Sequence, residues 1–303
     1  MHSFAQNRRG VFALLAAMAV FTTNDSLMKA ARAFAPAGQA LFVRGVVATL
    51  CCLGLLFVLR QGPSLRGALS GRAAARAAFE AAVAASYVIA LGHMPLADIV
   101  AIGQSAPILI AVACSALGLE TMGWRRWASV MVGFVGVLLV VRPGGAGFDL
   151  YSVVALLSAA CVAARDLVTR YIARDVQTVG ILVAAAAAVC LSGAAMRPFE
   201  TWVSLGPSQL VILASAGVLV AIGNYCIITA FRDVDVAVVS PFRYSSIVWA
   251  TLSGALFFHE LPDGFTVFGA GLVVGSGVYA IHRERVRARE RTSPNHSDGA
   301  AAG

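Results

Sequence analysis

Ten stretches of this 303-residue chain are each apolar and long enough to cross a lipid bilayer, and that constraint sets the fold class before any motif is read. A helix needs about 20 mainly apolar residues to span a hydrocarbon core of roughly 30 Å. The stretches cover approximately residues 11–29, 37–59, 75–93, 96–118, 126–142, 150–171, 179–197, 208–231, 236–258 and 264–282. The gaps between them are short and often carry Gly or Pro, as in Gln61-Gly62-Pro63 and Gly206-Pro207, so none holds a soluble domain. Hydrophobic residues make up 59% of the chain and charged residues 13%, against about 25% charged in ordinary globular proteins. The expectation is an all-α integral membrane protein with ten transmembrane helices.

The net charge of +8 is distributed by topology and does not mark a nucleic-acid partner. With the N-terminus inside, sixteen Arg and Lys fall in inner segments and four (Lys29, Arg32, Arg142 and Arg197) in outer loops. The excess of basic residues in cytoplasmic loops puts both termini in the cytoplasm. Residues 283–303 read as a basic disordered tail, its five arginines (Arg283 to Arg291) facing anionic lipid. The first stretch follows Arg8-Arg9 like a signal peptide, but it is too long and Asn24-Asp25 interrupts it, so it is read as retained. All six cysteines lie in apolar runs without a C-x-x-C pair and read as packing residues, so neither metal nor cofactor is expected.

The chain also repeats itself. Residues 12–29 align without a gap on 153–170, setting Asn24-Asp25 over Arg165-Asp166 and Lys29 over Arg170. Residues 90–120 align on 230–260 at an offset of 140, pairing Ser105 with Ser245 and Glu120 with Glu260. Each half (10–145 and 149–282) therefore holds five spans. Because five is odd, the second half enters the membrane upside down relative to the first. Inverted five-helix repeats are the ground plan of many secondary transporters, with the substrate near the midplane between the halves.

Pro107 with Leu117-Gly118-Leu119-Glu120, Gly133, Gly136-Val137 and Val141-Arg142-Pro143-Gly144 recur in the second half as Ser240-Pro241, Phe257-Phe258-His259-Glu260, Gly269 and Gly277-Val278. Together with Asp25, Lys29 and Arg44, this pattern resembles the EamA family of the drug/metabolite transporter superfamily over about residues 10–282. The resemblance implies a bacterial inner-membrane transporter working by alternating access. It also implies substrates among amino acids, amino-acid-derived metabolites, nucleotide-like compounds, vitamins and drugs. The second half departs from the pattern in shifting the proline to Pro241, so a symmetric site is imperfect.

Charged residues inside spans are costly, about 2.5–3.5 kcal/mol each at the bilayer centre on insertion scales, and mark either function or ion-pair packing. At 1.5 Å per residue, Asp25 lies roughly 21 Å above the inner start of span one and Arg44 about 10 Å below the outer face, depths that match. An Asp25–Arg44 pair is expected there, and Glu80, Arg165, Asp166 and Arg243 share an inner depth as a second cluster. Static packing or snorkelling is the alternative reading of these charges. Asn24, Tyr87, Gln104, Asn224, Tyr225, Tyr244 and Trp249 either line a path for a polar solute or serve as interhelical glue at about 1 kcal/mol each. Pro107 and Pro241 are expected to kink spans four and nine. Glu120 and Glu260 read as span-end anchors. Arg243, between Phe242 and Tyr244, is expected to bind a carboxylate bidentately and to lean on Asp166 or Glu80 when substrate is absent.

The mixture of acids, arginines and aromatics suits a zwitterion with an organic body. Export of an amino-acid-like or amino-acid-derived metabolite, a small metallophore among them, is the favoured function, and uptake of a metabolite or vitamin the runner-up. The partners are a small-molecule substrate, the lipid bilayer and a coupling proton or other ion; direction, coupling ion and oligomeric state are not readable. An acyltransferase would rest on the His93-x-x-x-x-Asp98 spacing alone. A scaffold would leave the repeat unexplained, and no phosphate-binding G-x-x-x-x-G-K-[ST] loop is present for ATP-driven pumping.

Overall fold

The computed structural model describes residues 4–59, 70–119, 124–142, 149–169, 171–172, 178–230 and 239–292; Glu120 and Arg170, singled out by the repeat, fall outside them. The described chain is helical and contains no strand. In order it forms α1 (Phe4–Ala31), α2 (Ala37–Val58), α3 (Gly71–Leu91), α4 (Leu96–Gly103), α5 (Ala106–Ala116), α6 (Trp124–Val141), α7 (Leu150–Thr169) and α8 (Thr178–Ala195). A 3-10 turn (Arg197–Phe199) leads to α9 (Pro207–Ala230), and a second one (Ser240–Tyr244) leads to α10 (Ser245–Ser253). A π turn (Gly254–Phe258) and α11 (Gly264–Thr292) complete the fold.

Seven helical segments are long and apolar enough to cross a membrane, and Trp127–Val141 and Gly264–Tyr279 are apolar but shorter. Two spans differ from expectation in kind. Span four is interrupted at Gln104-Ser105 between α4 and α5, and the described part of span nine changes from 3-10 to α to π within nineteen residues. Pro107 therefore marks a break, not a kink, in the first turn of the segment that restarts, and Pro241 sits in the first turn of the 3-10 segment. There a missing N–H removes no intrahelical bond. His259, in left-handed backbone (φ 55°), stops the π turn. α11 runs to Thr292, so the basic run expected to be disordered from residue 283 is helical through Arg291.

The halves are packed into one another. α1 lies on α9, α2 on α8, α3 on α7 and α8, and α6 on α11, while α10 packs against α1 and α4. Exchanging each span for the one five places away reproduces this pairing: α1–α9 becomes α7–α3, and α1–α10 becomes α7 against α4 and α5. The α6–α11 contact is a close backbone approach. A Cβ on Gly136 would strike the Gly269 carbonyl, and one on Gly269 would strike that of Gly136. Small residues at such crossings drive association where no hydrophobic effect acts between helices. Gly136→Val or Gly269→Val should therefore destabilise the purified protein by about 1–3 kcal/mol. Gly271→Val, with open space around its Cβ position, should leave the thermal unfolding midpoint unchanged.

Candidate functional site

The two broken spans meet at their breaks. Gln104, the residue that ends α4, donates from Nε2 to Ser246 Oγ of α10 at 2.5 Å. At the repeat offset Gln104 answers to Tyr244 and Ala106 to Ser246, so this bond joins nearly equivalent points of the two halves. Broken helices free backbone groups that must then be satisfied by protein or by water in a cavity.

Arg243, three residues before Ser246, belongs to a belt of charge drawn from both halves. Arg165 of α7 binds Glu80 of α3 through Nη1 (3.1 and 3.3 Å), and it donates to Asp166 Oδ1 from Nε (2.9 Å) and Nη2 (2.7 Å). Arg76, one turn from Glu80, approaches it at 3.7 Å. Arg243 in the 3-10 turn is exposed, lies within electrostatic range of Asp166 and Arg165, and forms no hydrogen bond or ion pair among the described residues. The expected rest contact of Arg243 with Asp166 or Glu80 is thus not made; Arg165 holds Glu80 by both oxygens and Asp166 by Oδ1.

The Asp25–Arg44 pair also takes another form. Asp25 accepts from Tyr87 Oη at Oδ2 (2.9 Å) and from Asn24 Nδ2 at Oδ1 (2.9 Å). Among the described residues Arg44 reaches only Asn24 Oδ1, at 3.5 Å, and makes no ion pair with Asp25 within 4 Å. Asn24, 2% exposed, is a spacer between the charges. Tyr244 is buried with its hydroxyl against Gly277 of α11. Tyr225 and Trp249 are exposed on α9 and α10, and Asn224 is half-buried. The acyltransferase reading loses its pair: exposed His93 stacks on Tyr151 (centroids 3.6 Å, 11°), and Asp98 accepts from Thr266 Oγ1 at 3.0 Å.

One contact escaped the sequence reading. At the face where α1 ends, Lys29 Nζ donates to both oxygens of Glu260 (2.6 and 2.7 Å) and to the Met94 carbonyl (2.7 Å). Glu260 Oε2 also accepts the Leu96 N–H at 3.1 Å, and Lys29 stands 5.2 Å from the Phe258 ring. Glu260, read above as a span-end anchor, is half of a latch tying α1, the start of α4 and the end of span nine. The signal was present in the repeat, which places a base over a base (Lys29, Arg170) and an acid over an acid (Glu120, Glu260). At the same face Arg142 bonds Asp263, and that bond, with the Thr266 N–H, holds the Asp263 carboxyl down at about 2.

The sequence profile of the EamA-like transporter family matches residues 8–142 and 150–281, nearly the whole chain in two copies. The chain belongs to this family. It is similar to a pseudopaline exporter of Pseudomonas aeruginosa, at 27% identity over 88% of this chain and 94% of that one. It is similar to an S-adenosylmethionine uptake transporter of Rickettsia bellii, at 25% identity over 66% and 68% of the two chains. A riboflavin transporter of Rhizobium johnstonii is 26% identical over 68% of each. A crystal structure at 21% identity superposes with a TM-score of 0.63, covering 94% of this chain and 99% of the other, which shows the shared fold. The family and these relatives are transporters, not enzymes.

Lys29 is sheltered, with 12% of its side chain exposed, whereas Arg142 and Asp263 are 37% and 49% exposed. Exposed pairs contribute about 0–1 kcal/mol, while removing one partner of a sheltered pair strands a charge. Glu260→Gln should therefore lower the thermal unfolding midpoint of the purified EamA protein more than Asp263→Asn does. Equal shifts would show that the latch is no more than a surface pair.

Proposed function

We propose that this EamA transporter exports a small amino-acid-like or amino-acid-derived metabolite, a metallophore among the candidates, across the bacterial inner membrane by alternating access. Two five-helix repeats of inverted topology would rock about the junction of the two broken spans, with both termini in the cytoplasm. The observation that carries this reading is the meeting of the α4 and α10 breaks at Gln104–Ser246, flanked by charges from both halves. Broken helices meeting between repeats are where transporters bind substrate. The exchange symmetry of the helix pairing supports the repeat. Coverage of most of both chains by the match to the pseudopaline exporter favours export.

In this reading Asp25, Arg44, Gln104, Asn224, Tyr225, Arg243, Tyr244 and Trp249 belong to the substrate path, and Glu80, Arg165 and Asp166 hold the helices beside it. A coupling proton or other ion would supply the driving force. Uptake of a metabolite or vitamin is the second reading, favoured by the similarity to uptake and riboflavin transporters.

Metabolite profiling of cells and medium, with the gene deleted and restored, tests function and direction together. For an exporter, one compound accumulates inside the deletion strain and disappears from its medium; the reverse distribution is uptake. Orientation has its own test. Alkaline phosphatase fused after Arg291 should be inactive, and fused in the 142–149 loop active; the opposite pair of results would overturn the topology and the inverted repeat together. Arg243→Lys keeps the charge and loses the planar fork. It should reduce transport more than it reduces protein level, and full activity would remove Arg243 from the substrate path.

A further inference from the structure

The charged belt is out of balance in its hydrogen bonding, and the imbalance names a substrate chemistry. Four arginines (Arg44, Arg76, Arg165 and Arg243) face three carboxylates (Asp25, Glu80 and Asp166), and the seven residues form a connected chain of electrostatic neighbours. On the acid side each carboxylate is already held by two contacts. Asp25 has Tyr87 and Asn24, Glu80 has Arg165 and Arg76, and Asp166 has Nε and Nη2 of Arg165.

The basic side is unfilled. Arg44 Nε and both Nε and Nη1 of Arg76 are buried without a hydrogen-bond partner, and the Arg243 guanidinium has none among the described residues. A carboxylate only accepts and a guanidinium only donates. The belt therefore offers spare donors and a surplus cation, whereas its acids are engaged. Asn24 sharpens this at one end by standing between Asp25 and Arg44, which stops the acid from closing on the guanidinium.

We propose that the belt is a binding site for a substrate carrying more than one carboxylate, with Arg243 and Arg44 as its anion-binding ends. This rests on the transporter reading and narrows it. A cationic solute would meet a surplus of like charge, and among the described residues Asp166 Oδ2 is the carboxylate oxygen left to receive it. A neutral heterocycle would leave the unpaired donors without an anionic partner. An amino-polycarboxylate supplies acceptor oxygens at two points, and arginine forks bind such groups bidentately.

Thermal unfolding of the detergent-purified full chain tests this, because a ligand that binds the folded state raises the midpoint. The probes are iminodiacetate, nitrilotriacetate, S-adenosylmethionine and riboflavin, each compared with sodium chloride of equal ionic strength. The two amino-polycarboxylates should raise the midpoint by several degrees, and the other two should not. Arg243 makes no hydrogen bond or ion pair among the described residues, so Arg243→Gln should fold normally and need at least tenfold more nitrilotriacetate for the same rise. Arg44→Lys, which keeps the charge, should weaken the response in the same direction, and Arg142→Gln, away from the belt, should leave it unchanged.

The proposal is overturned if neither carboxylate acts beyond salt, if S-adenosylmethionine acts and they do not, or if Arg243→Gln responds as wild type. Failure here with a compound still exported in the metabolite comparison would reject the substrate class and leave the transport reading standing. A positive response here with no metabolite difference would do the reverse.

Discussion

A backbone N–H or C=O left unsatisfied in hydrocarbon costs several kcal/mol, and the architecture follows from where this chain accepts that risk. Most spans avoid it by staying helical from end to end. Spans four and nine do not: span four stops and restarts beside Pro107, and the described part of span nine changes helix type twice after Pro241. Such breaks can sit only against protein or water, so the two interrupted spans are driven inward and toward each other. The Gln104–Ser246 bond closes that junction, while uninterrupted helices pack in cross-half pairs around it. Glycines at Gly136 and Gly269 let the outer pair come close enough to complete the enclosure.

Charge follows the same logic. Glu80 and Asp166 are held on one arginine, Arg165, which joins α3 of the first half to α7 of the second. A guanidinium can do this because its five donors are fixed in a plane and serve two carboxylates at once. Arg243 is left in its turn without a hydrogen bond or ion pair among the described residues, within electrostatic range of Asp166.

Much of this was legible in the sequence, and the limits are physical. Span count, the repeat, the places of the breaks at Pro107 and Pro241, and the gathering of Glu80, Arg165 and Asp166 all follow from apolar length and axial position. Counting residues along a helix gives depth and says nothing of azimuth. Asp25 and Arg44 were matched in depth, but successive residues turn by about 100°, and the neighbour Asn24 is the one that faces Arg44. Arg76 lies near the start of α3, and its approach to Glu80 depends on the direction of its side chain, which axial position does not give. The Lys29–Glu260 latch joins residues 231 apart, and only the pairing of basic with basic and acidic with acidic residues across the repeat hinted at it.

The latch and the junction act on the same short segments. Glu260 ends the span whose earlier turn carries Arg243, and it also receives the N–H of Leu96, the first residue of α4. α4 is eight residues, about 12 Å of helix, and its far end is Gln104 at the junction. Lys29 is four residues beyond Asp25 on α1, which puts both on one face of that helix. The belt and the latch therefore share α1 and span nine, with the short α4 between them. Two of the three pieces that the latch ties are thus short segments of spans four and nine, and the third is the full-length α1.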